Sequence, residues 1–351
     1  MNFESDNAAG IAPAILDAIV HANDGFARSY GEDAVTARLK AHLAQLFEHE
    51  VGVYLVATGT AANALALAQI APPWGAVLCH EECHLVLDEC GAPEFFGAGL
   101  KLIGLPGEGG KIAAPTLAAA LQRGPWGGPH HVTAAVLSLT QATEFGTIYQ
   151  PEEISELAAI AHAHGVKVHV DGARFANALV RLDRDAAAVS WQCGVDILSL
   201  GATKSGAMGA EAVIVFDPTL TLGLDERRKR AGHLISKHRF VAAQLEAYLA
   251  DDLWLELART ANRMADRLAA ALADAGLTVV WPVEANAIFV VLPRRLDQRL
   301  RAAGARYFAW TTKNLPTRAC VADDEVLVRV VASFATRSAD VDKLVAVIRA
   351  G

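Results

Sequence analysis

The chain has 351 residues, of which 53% are hydrophobic, and its 31 Lys and Arg against 39 Asp and Glu give a net charge of −8. That length allows one large or two smaller domains with deep cores, and the acidic balance without a basic run argues against nucleic acid and anionic membrane as partners. Mean hydropathy is high at +0.26, but polar residues and Pro72-Pro73 interrupt the uncharged stretch 51–80, which leaves no run of the roughly 18 to 20 apolar residues that a membrane helix needs.

Up to about residue 218, short β-rich runs alternate with longer Ala- and Leu-rich amphipathic stretches, a pattern typical of a parallel sheet covered by helices. Strands are predicted at 51–56, 76–79, 100–105, 134–139, 166–170, 196–200 and 212–216. Helices are predicted at 61–70, from about 85, at 114–122 and at 151–164. The last of these begins with Pro-Glu-Glu, which suits the first turn of a helix.

Beyond Pro218 the pattern changes to two long helical stretches, and a smaller unit follows. The helices are predicted at 225–249 and 254–275, the strands at 277–281, 288–292, 307–311 and 326–331, and a closing helix, capped by Ser338, at 338–349. The expected fold class is therefore α/β, with a mostly parallel central sheet in a large domain (1–245, including an N-terminal arm) and a small C-terminal α+β domain (246–351).

The segment 57–63 lies between a predicted strand and a predicted helix and consists of small residues around Gly59 and Thr60. Small residues leave the backbone N–H groups of a helix N-terminus open to a ligand, and the helix dipole favours an anion there. The segment therefore predicts a phosphate cradle, with a tight turn capped by Thr as the alternative.

Two further strands end in residues that could react. Asp171 closes the strand at 166–170 with Arg174 three positions on, and Lys204 follows the strand at 196–200 among Gly, Ala, Ser and Thr. The alternatives are a helix-capping Asp and a solvated Lys. An amine removed from water loses its charge more easily and becomes nucleophilic, as imine formation requires.

These three features belong at one edge of the sheet. One strand–helix–strand crossover separates Asp171 from Lys204, and a right-handed crossover brings both strand ends to the same edge. A phosphate cradle, a carboxylate for a pyridine nitrogen and an imine-forming lysine together indicate a pyridoxal 5'-phosphate site.

The sequence also resembles the low-specificity L-threonine aldolases of the β-eliminating lyase/threonine aldolase family, fold-type-I pyridoxal phosphate enzymes, and more closely the bacterial branch that includes phenylserine aldolase. The resemblance runs nearly end to end. The segments that carry it are 5–7, 30–33, 58–63, 88–96, 140–144, 169–174 and 203–204.

The resemblance implies roles for individual residues. It implies that Gly59 and Thr60 bind phosphate, Asp171 the pyridine nitrogen and Lys204 the aldehyde, and that His84 stacks on the cofactor ring near the substrate hydroxyl. It implies contacts to the substrate carboxylate or cofactor for Arg174, Ser5 and Arg329, and weaker substrate-binding roles for Tyr30, Asp88 and His130. An inward-facing Arg329 on a strand would need an anion; the alternative is an exposed Arg on an edge strand. Phosphate contacts from a neighbouring subunit are expected among Lys229, Arg230 and Lys237.

One departure leaves the catalytic base open. Other branches place a second active-site His in the stretch corresponding to 140–144, and this chain has none there. His84, directly or through water, is the candidate base, since its usual pKa range suits that role.

A competing motif is His80-Glu81-Glu82-Cys83-His84, which fits the H-E-x-x-H pattern of zinc proteases. That pattern requires a helix, whereas His80 directly follows a strand-like run, so a metalloprotease is a remote alternative and no metal is expected. A nearer alternative is another pyridoxal phosphate enzyme, such as an aminotransferase or a β-eliminating lyase.

The predicted reaction is cleavage of an L-β-hydroxy-α-amino acid, such as threonine, allo-threonine or phenylserine, to glycine and an aldehyde.

The N-terminus has neither a basic start nor an apolar core, and five cysteines without a Cys-x-x-Cys suit a reducing compartment, so the cytoplasm is expected. The family implies a homo-oligomer, dimer or tetramer, with shared active sites. A large subunit interface would also account for the surplus of apolar residues.

Overall fold

The computed structural model describes residues 1–316 and 319–350 and contains two sheets. The strands of the larger sheet are β1 (Gly52–Val56), β2 (Gly75–His80), β3 (Lys101–Leu105), β4 (Thr133–Thr140), β5 (Lys167–Gly172), β6 (Ile197–Gly201) and β7 (Glu211–Val215). Their order is β1-β7-β6-β5-β4-β2-β3, and every pairing is parallel except those of β7 with β1 and β6. The prediction of a mostly parallel α/β sheet is confirmed.

Helices cover both faces of this sheet. Those of the N-terminal part are α1 (Pro13–His21), α2 (Ala34–Leu46), α3 (Gly59–Ile70), α4 (His84–Leu87), α5 (Ala92–Phe96), α6 (Ala114–Arg123), α7 (Pro151–Ala163) and α8 (Phe175–Leu182). Strands β2, β6 and β7 are buried along their whole length, as expected for strands covered on both faces. In α7 the Glu153 side chain accepts from the N–H of Gln150, so a capping box starts the helix predicted there.

The smaller sheet belongs to the C-terminal part. It has the antiparallel order β8-β10-β9, with β8 (Ala287–Pro293), β9 (Phe308–Ala309) and β10 (Glu325–Val331). Its helices are α11 (Leu253–Asp274), α12 (Arg294–Ala302) and α13 (Ser338–Arg349). The N-terminus joins this unit, since the Phe3 side chain is wholly buried in its core and the Phe3 N–H donates to Arg306 O at 2.8 Å. The division at residues 245/246 stays a prediction.

Four details of the C-terminal half differ from the sequence-based prediction. The helix expected at 225–249 is broken into α9 (Leu224–Arg230) and α10 (Arg239–Leu249), because Gly232 adopts a φ of +78° and ends the first. The strand expected at 277–281 is reduced to one bridge, Val279 to Val290, as Pro282 without an N–H follows it. The strand at 307–311 shortens to β9. Ser338 does not cap α13; Arg337 holds that position, with its guanidinium on Asp340.

Within residues 1–316 and 319–350, none of the helices combines the length and apolarity that crossing a bilayer requires.

Candidate active site

Four of the predicted site residues line a cavity of about 320 Å³ at the carboxyl edge of the large sheet. The predicted residues in its wall are Gly59, Thr60, His84 and Lys204. Other wall residues include Asn7, Thr58, Thr203, Met208 and Glu211. The topology explains the convergence, because loops that follow parallel strands meet at one edge of the sheet.

The N-terminus of α3 opens into this cavity. The Thr58 hydroxyl accepts from the N–H of Ala61 at 3.1 Å and caps the helix. A methyl group placed on Gly59 would meet no atom within 4 Å. The twelve-residue helix therefore presents its free N–H groups and the positive end of its dipole to open space, which suits a phosphate group.

Asp171 and His84 are joined by a chain of buried hydrogen bonds. The Asn63 amide nitrogen donates to Asp171 Oδ2 and to Glu89 Oε1, each at 2.9 Å. Glu89 Oε1 also lies 2.8 Å from His84 Nδ1. A second Asp171 oxygen accepts from the N–H of Ala173 at 3.0 Å. Asn63 belongs to α3, and His84 and Glu89 belong to the segment after β2. The fold therefore sets the position of the Asp171 carboxylate relative to the His84 imidazole.

Glu89 controls the charge of His84. The hydrogen bond to Glu89 raises the pKa of His84, against burial, which lowers it. Burial in turn raises the pKa of Glu89, whose side chain is fully enclosed. With Nδ1 engaged by Glu89, Nε2 is the nitrogen of His84 that is left for a ligand or water.

Arg174 forms a buried, two-point ion pair with Asp6. Its Nε and Nη2 lie 2.8 and 3.0 Å from the two Asp6 oxygens, and Asn286 donates to the same carboxylate at 3.0 Å. Burial opposes both charges, but each partner favours the other, so the pKa of Arg174 rises and that of Asp6 falls. The N-terminal arm is thereby fastened to the end of β5.

Arg329, on β10, is held by aromatic rings. Its guanidinium lies 4.4 Å from the Trp310 ring centroid and 5.8 Å from that of Phe308. Its Nε is buried without a partner, and it forms no ion pair with any carboxylate among residues 1–316 and 319–350. Burial and then the charge of Arg174 lower the pKa of Arg329. Such a guanidinium fits a carboxylate from outside the chain.

The other predicted substrate contacts differ in position. Ser5 accepts from the N–H of Asn7 at 3.2 Å beside the cavity, and Asp88 is exposed but close enough to interact electrostatically with Arg329. Tyr30 is 48% exposed and lies under Lys229, with Nζ 4.5 Å from its ring centroid. His130 is exposed in the loop after α6, with its neighbour His131 as its only described ring contact. None of these four residues lines the cavity: Ser5 borders it through Asn7, Asp88 interacts with Arg329, and Tyr30 and His130 lie outside its wall.

The H-E-x-x-H segment does not lie on one helix. His80 is the last residue of β2, whereas His84 begins α4. Both ring nitrogens of His80 are engaged: Nδ1 accepts from the Glu82 N–H at 3.1 Å and Nε2 lies 3.0 Å from Gly107 O. In the described part of the chain, no group of three His, Cys, Asp or Glu is arranged for a metal ion. The geometry on which the metalloprotease alternative depends is not found.

Sequence reasoning assigned no role to several residues that organise the site, among them Asp6, Asn63, Glu89, Glu211 and Trp310. Glu211 could have been suspected, because a carboxylate at the start of the apolar run Ala-Val-Ile-Val needs a partner. Partners that lie far away in sequence could not have been identified. Asn63 and Asp171, for example, are 108 positions apart.

Comparison with known proteins agrees with this geometry. Residues 2–294 match the family described as beta-eliminating lyase. The chain is 43% identical over 310 residues to the low specificity L-threonine aldolase of Pseudomonas aeruginosa, covering 88% of this chain and 89% of that protein. The threonine aldolase of Leishmania major superposes with a TM-score of 0.91 at 27% identity, over 99% of this chain and 98% of that one.

The chain therefore belongs to the beta-eliminating lyase family and, within it, groups with the threonine aldolases, as the sequence analysis predicted. The fold extends to more distant enzymes: a lysine-to-alanine variant of serine palmitoyltransferase from S. paucimobilis, with a bound PLP–myriocin aldimine, superposes with a TM-score of 0.71 at 14% identity, over 100% of this chain and 86% of that one.

The cofactor is pyridoxal phosphate, and the residues of the cavity fit it. The open N-terminus of α3 suits its phosphate, and the buried Asp171 suits its pyridine nitrogen. Lys204, in the same wall, has no hydrogen bond or ion pair with any described residue and is available for the aldehyde.

Proposed function

We propose that this protein is an aldolase that cleaves L-threonine, L-allo-threonine and β-aryl serines such as phenylserine to glycine and the corresponding aldehyde. The observation that supports this most directly is the linked arrangement of Asp171 and His84 through Asn63 and Glu89, with His84 and Lys204 lining the same cavity. A lysine and a pyridine-binding carboxylate serve many pyridoxal phosphate reactions. A histidine oriented by a buried carboxylate adds a base, which a β-hydroxyl group needs in order to lose its proton.

Each residue has a definite task in this proposal. The N–H groups around Gly59 and Thr60 hold the phosphate, and Asp171 holds the pyridine nitrogen in its protonated state. Lys204 binds the cofactor and yields to the substrate amine. When bound, the cofactor supplies an electron sink for the electron pair left at Cα when the Cα–Cβ bond breaks.

The substrate is oriented by groups of the chain itself. Arg329 binds the α-carboxylate, since it lacks a carboxylate of the described chain. Arg174 lies close enough to Arg329 to repel it electrostatically, so the two guanidinium groups are neighbours. Asp6, however, already occupies two of the Arg174 donors. His84 Nε2 accepts the β-hydroxyl proton directly or through one water, and the same group returns it in the direction of synthesis.

The protein is proposed to act as a homo-oligomer, dimer or tetramer, whose neighbouring subunit adds phosphate contacts from Lys229, Arg230 or Lys237. Exposed apolar side chains support an interface: Phe26, Phe95 and Leu222 are 108%, 79% and 90% exposed in the single chain. Five unpaired cysteines support the cytoplasm as its location.

The test is a panel of β-hydroxy amino acids, with threonine, allo-threonine and phenylserine in both β-configurations, assayed for glycine and aldehyde. We expect glycine to be released in equal amount to the aldehyde. Release of a keto acid would instead support an aminotransferase or a β-eliminating lyase. Lys204→Ala should lose the visible band and the activity, and a Lys204→Ala variant as yellow and active as wild type would refute the proposal.

A further inference from the structure

Glu211 is a buried carboxylate in the cavity wall for which the proposed reaction has no use. It is the first residue of β7, is 6% exposed, and pairs with Gly201 of β6 and Val56 of β1. The rest of β7 is Ala-Val-Ile-Val. A buried carboxylate in an apolar strand costs free energy unless it is bonded to partners. The partners of Glu211 therefore indicate its purpose.

Both carboxylate oxygens bind the backbone that leads to Lys204. Oε2 accepts from the N–H of Ala202 at 3.0 Å, and Oε1 accepts from the N–H of Thr203 at 3.3 Å. The Thr203 hydroxyl in turn accepts from the N–H of Ala210 at 3.3 Å, so the start of β7 and the end of β6 are tied together around Glu211. The direction in which Lys204 leaves the backbone depends on these bonds.

Glu211 also interacts with Lys204 through charge. Burial raises the pKa of Glu211 to about 7, against its hydrogen bonds and the positive charge of Lys204. The other titratable groups of this region are Asp6 and His84, which interact electrostatically with Lys204, and Tyr248, which interacts with Glu211. Asp6 is already neutralised by Arg174 at two points. Asp171, the other carboxylate of the site, is bonded to the Asn63 amide and to the N–H of Ala173. Unlike Asp6, Glu211 has no cationic hydrogen-bond partner in the described chain.

We propose that Glu211 is the positioning residue of Lys204: its bonds to the backbone of Ala202 and Thr203 hold the 202–204 turn so that the amine faces the cavity, and its carboxylate acts by charge on the nitrogen through which Lys204 binds the cofactor. This inference rests on the proposed role of Lys204 as the cofactor-binding lysine. It assigns to β7, which runs antiparallel to both of its neighbours in the large sheet, a direct part in the site.

The test is a pH titration of the visible absorption band of the purified holoenzyme and of three variants. Glu211→Gln removes the charge and keeps the size, and Glu211→Asp keeps the charge. Asp196→Asn is the matched control, because Asp196 also accepts from a backbone N–H, that of Val168 at 2.7 Å, but at the opposite edge of the sheet.

The titration midpoint of Glu211→Gln should lie lower than that of wild type by at least about one pH unit, since a cationic nitrogen loses a nearby negative charge. Glu211→Asp and Asp196→Asn should stay close to wild type. If Glu211→Gln cannot be purified as a folded protein, Glu211→Ala replaces it as the charge-removing variant in the same comparison. An unchanged midpoint in the charge-removing variant, even with a lower cofactor content, would overturn the inference and leave Glu211 a purely structural residue.

The readout separates this inference from the proposed function. Cofactor retention is measured in parallel by borohydride reduction and the mass of the intact chain. If the wild type shows no band, or if borohydride fixes the cofactor to the Lys204→Ala chain as it does to wild type, then the assignment of Lys204 fails and this inference fails with it. If the band depends on Lys204 but does not respond to the charge at Glu211, only the inference fails.

Discussion

Two arginines of the site, Arg174 and Arg329, interact electrostatically but are held in opposite ways. Arg174 is bound at two points by Asp6, whereas Arg329 lies on the rings of Trp310 and Phe308 without a described carboxylate. Pairing raises the pKa of Arg174, but burial lowers that of Arg329. The same side chain thus serves architecture at Arg174 and is proposed to bind a ligand at Arg329, and the difference is the presence of an internal anion.

The largest effect is expected at the architectural pair. Asp6→Asn would leave the buried guanidinium of Arg174 without its counter-charge, and the free energy of unfolding should fall by about 3 to 5 kcal/mol. Urea denaturation measures this. The control is Glu32→Gln, which removes an exposed ion pair with Arg28 at 3.6 Å and should cost less than about 1 kcal/mol. Equal effects of the two changes would contradict the structural role of Asp6.

Arg329→Met should affect binding and spare the cofactor. Loss of a charged, two-point contact to a carboxylate weakens binding by roughly 3 kcal/mol. Both kcat/KM and the affinity for glycine should therefore fall on the order of 100-fold. The visible band should remain, which distinguishes this variant from Lys204→Ala. Arg329→Lys should recover part of the affinity, because it restores the charge without the planar fork. A wild-type KM in Arg329→Met would show that Arg174 binds the carboxylate after all.

A third prediction concerns another internally bonded group, His84. Because the hydrogen bond to Glu89 raises the pKa of His84, Glu89→Gln should lower that pKa. A base works in its neutral form, which appears as the pH rises through its pKa. The acid limb of the kcat/KM profile should therefore move to lower pH, by about one unit. The exposed Glu156 gives the control Glu156→Gln, and identical profiles for both variants would remove His84 as the base.

The smallest effect is expected at the aromatic support of Arg329. Trp310→Ala removes a cation–π contact worth about 1 kcal/mol, so glycine should bind about fivefold more weakly. Trp310→Phe keeps an aromatic face and should lose less. The exposed Trp74 provides the control Trp74→Ala, which should leave glycine binding unchanged. Affinity unchanged in Trp310→Ala would mean that the rings do not orient Arg329.

By itself the sequence determined the alternation of strands and helices, the parallel sheet and the cofactor, and it predicted Lys204 and Asp171 as the main cofactor-binding residues. These follow from local patterns: apolar runs of strand length, small residues where a strand meets a helix, and polar residues at strand ends. The errors were local too, such as the break at Gly232, since a charged helical pattern does not show where a positive φ interrupts it.

Tertiary structure alone decided which charges meet. Arg174 and Arg329 were predicted with the same role, and only folding revealed that Asp6, 168 positions away, pairs with the first and not with the second. Asn63 gained its role in the same way, through a hydrogen bond to Asp171 in a distant segment, and Glu89 and Glu211 gained theirs through hydrogen bonds that form only when the chain folds. The physical reason is that burial makes an unpaired charge costly, and the identity of its partner depends on which chain segments the fold brings within about 3 Å.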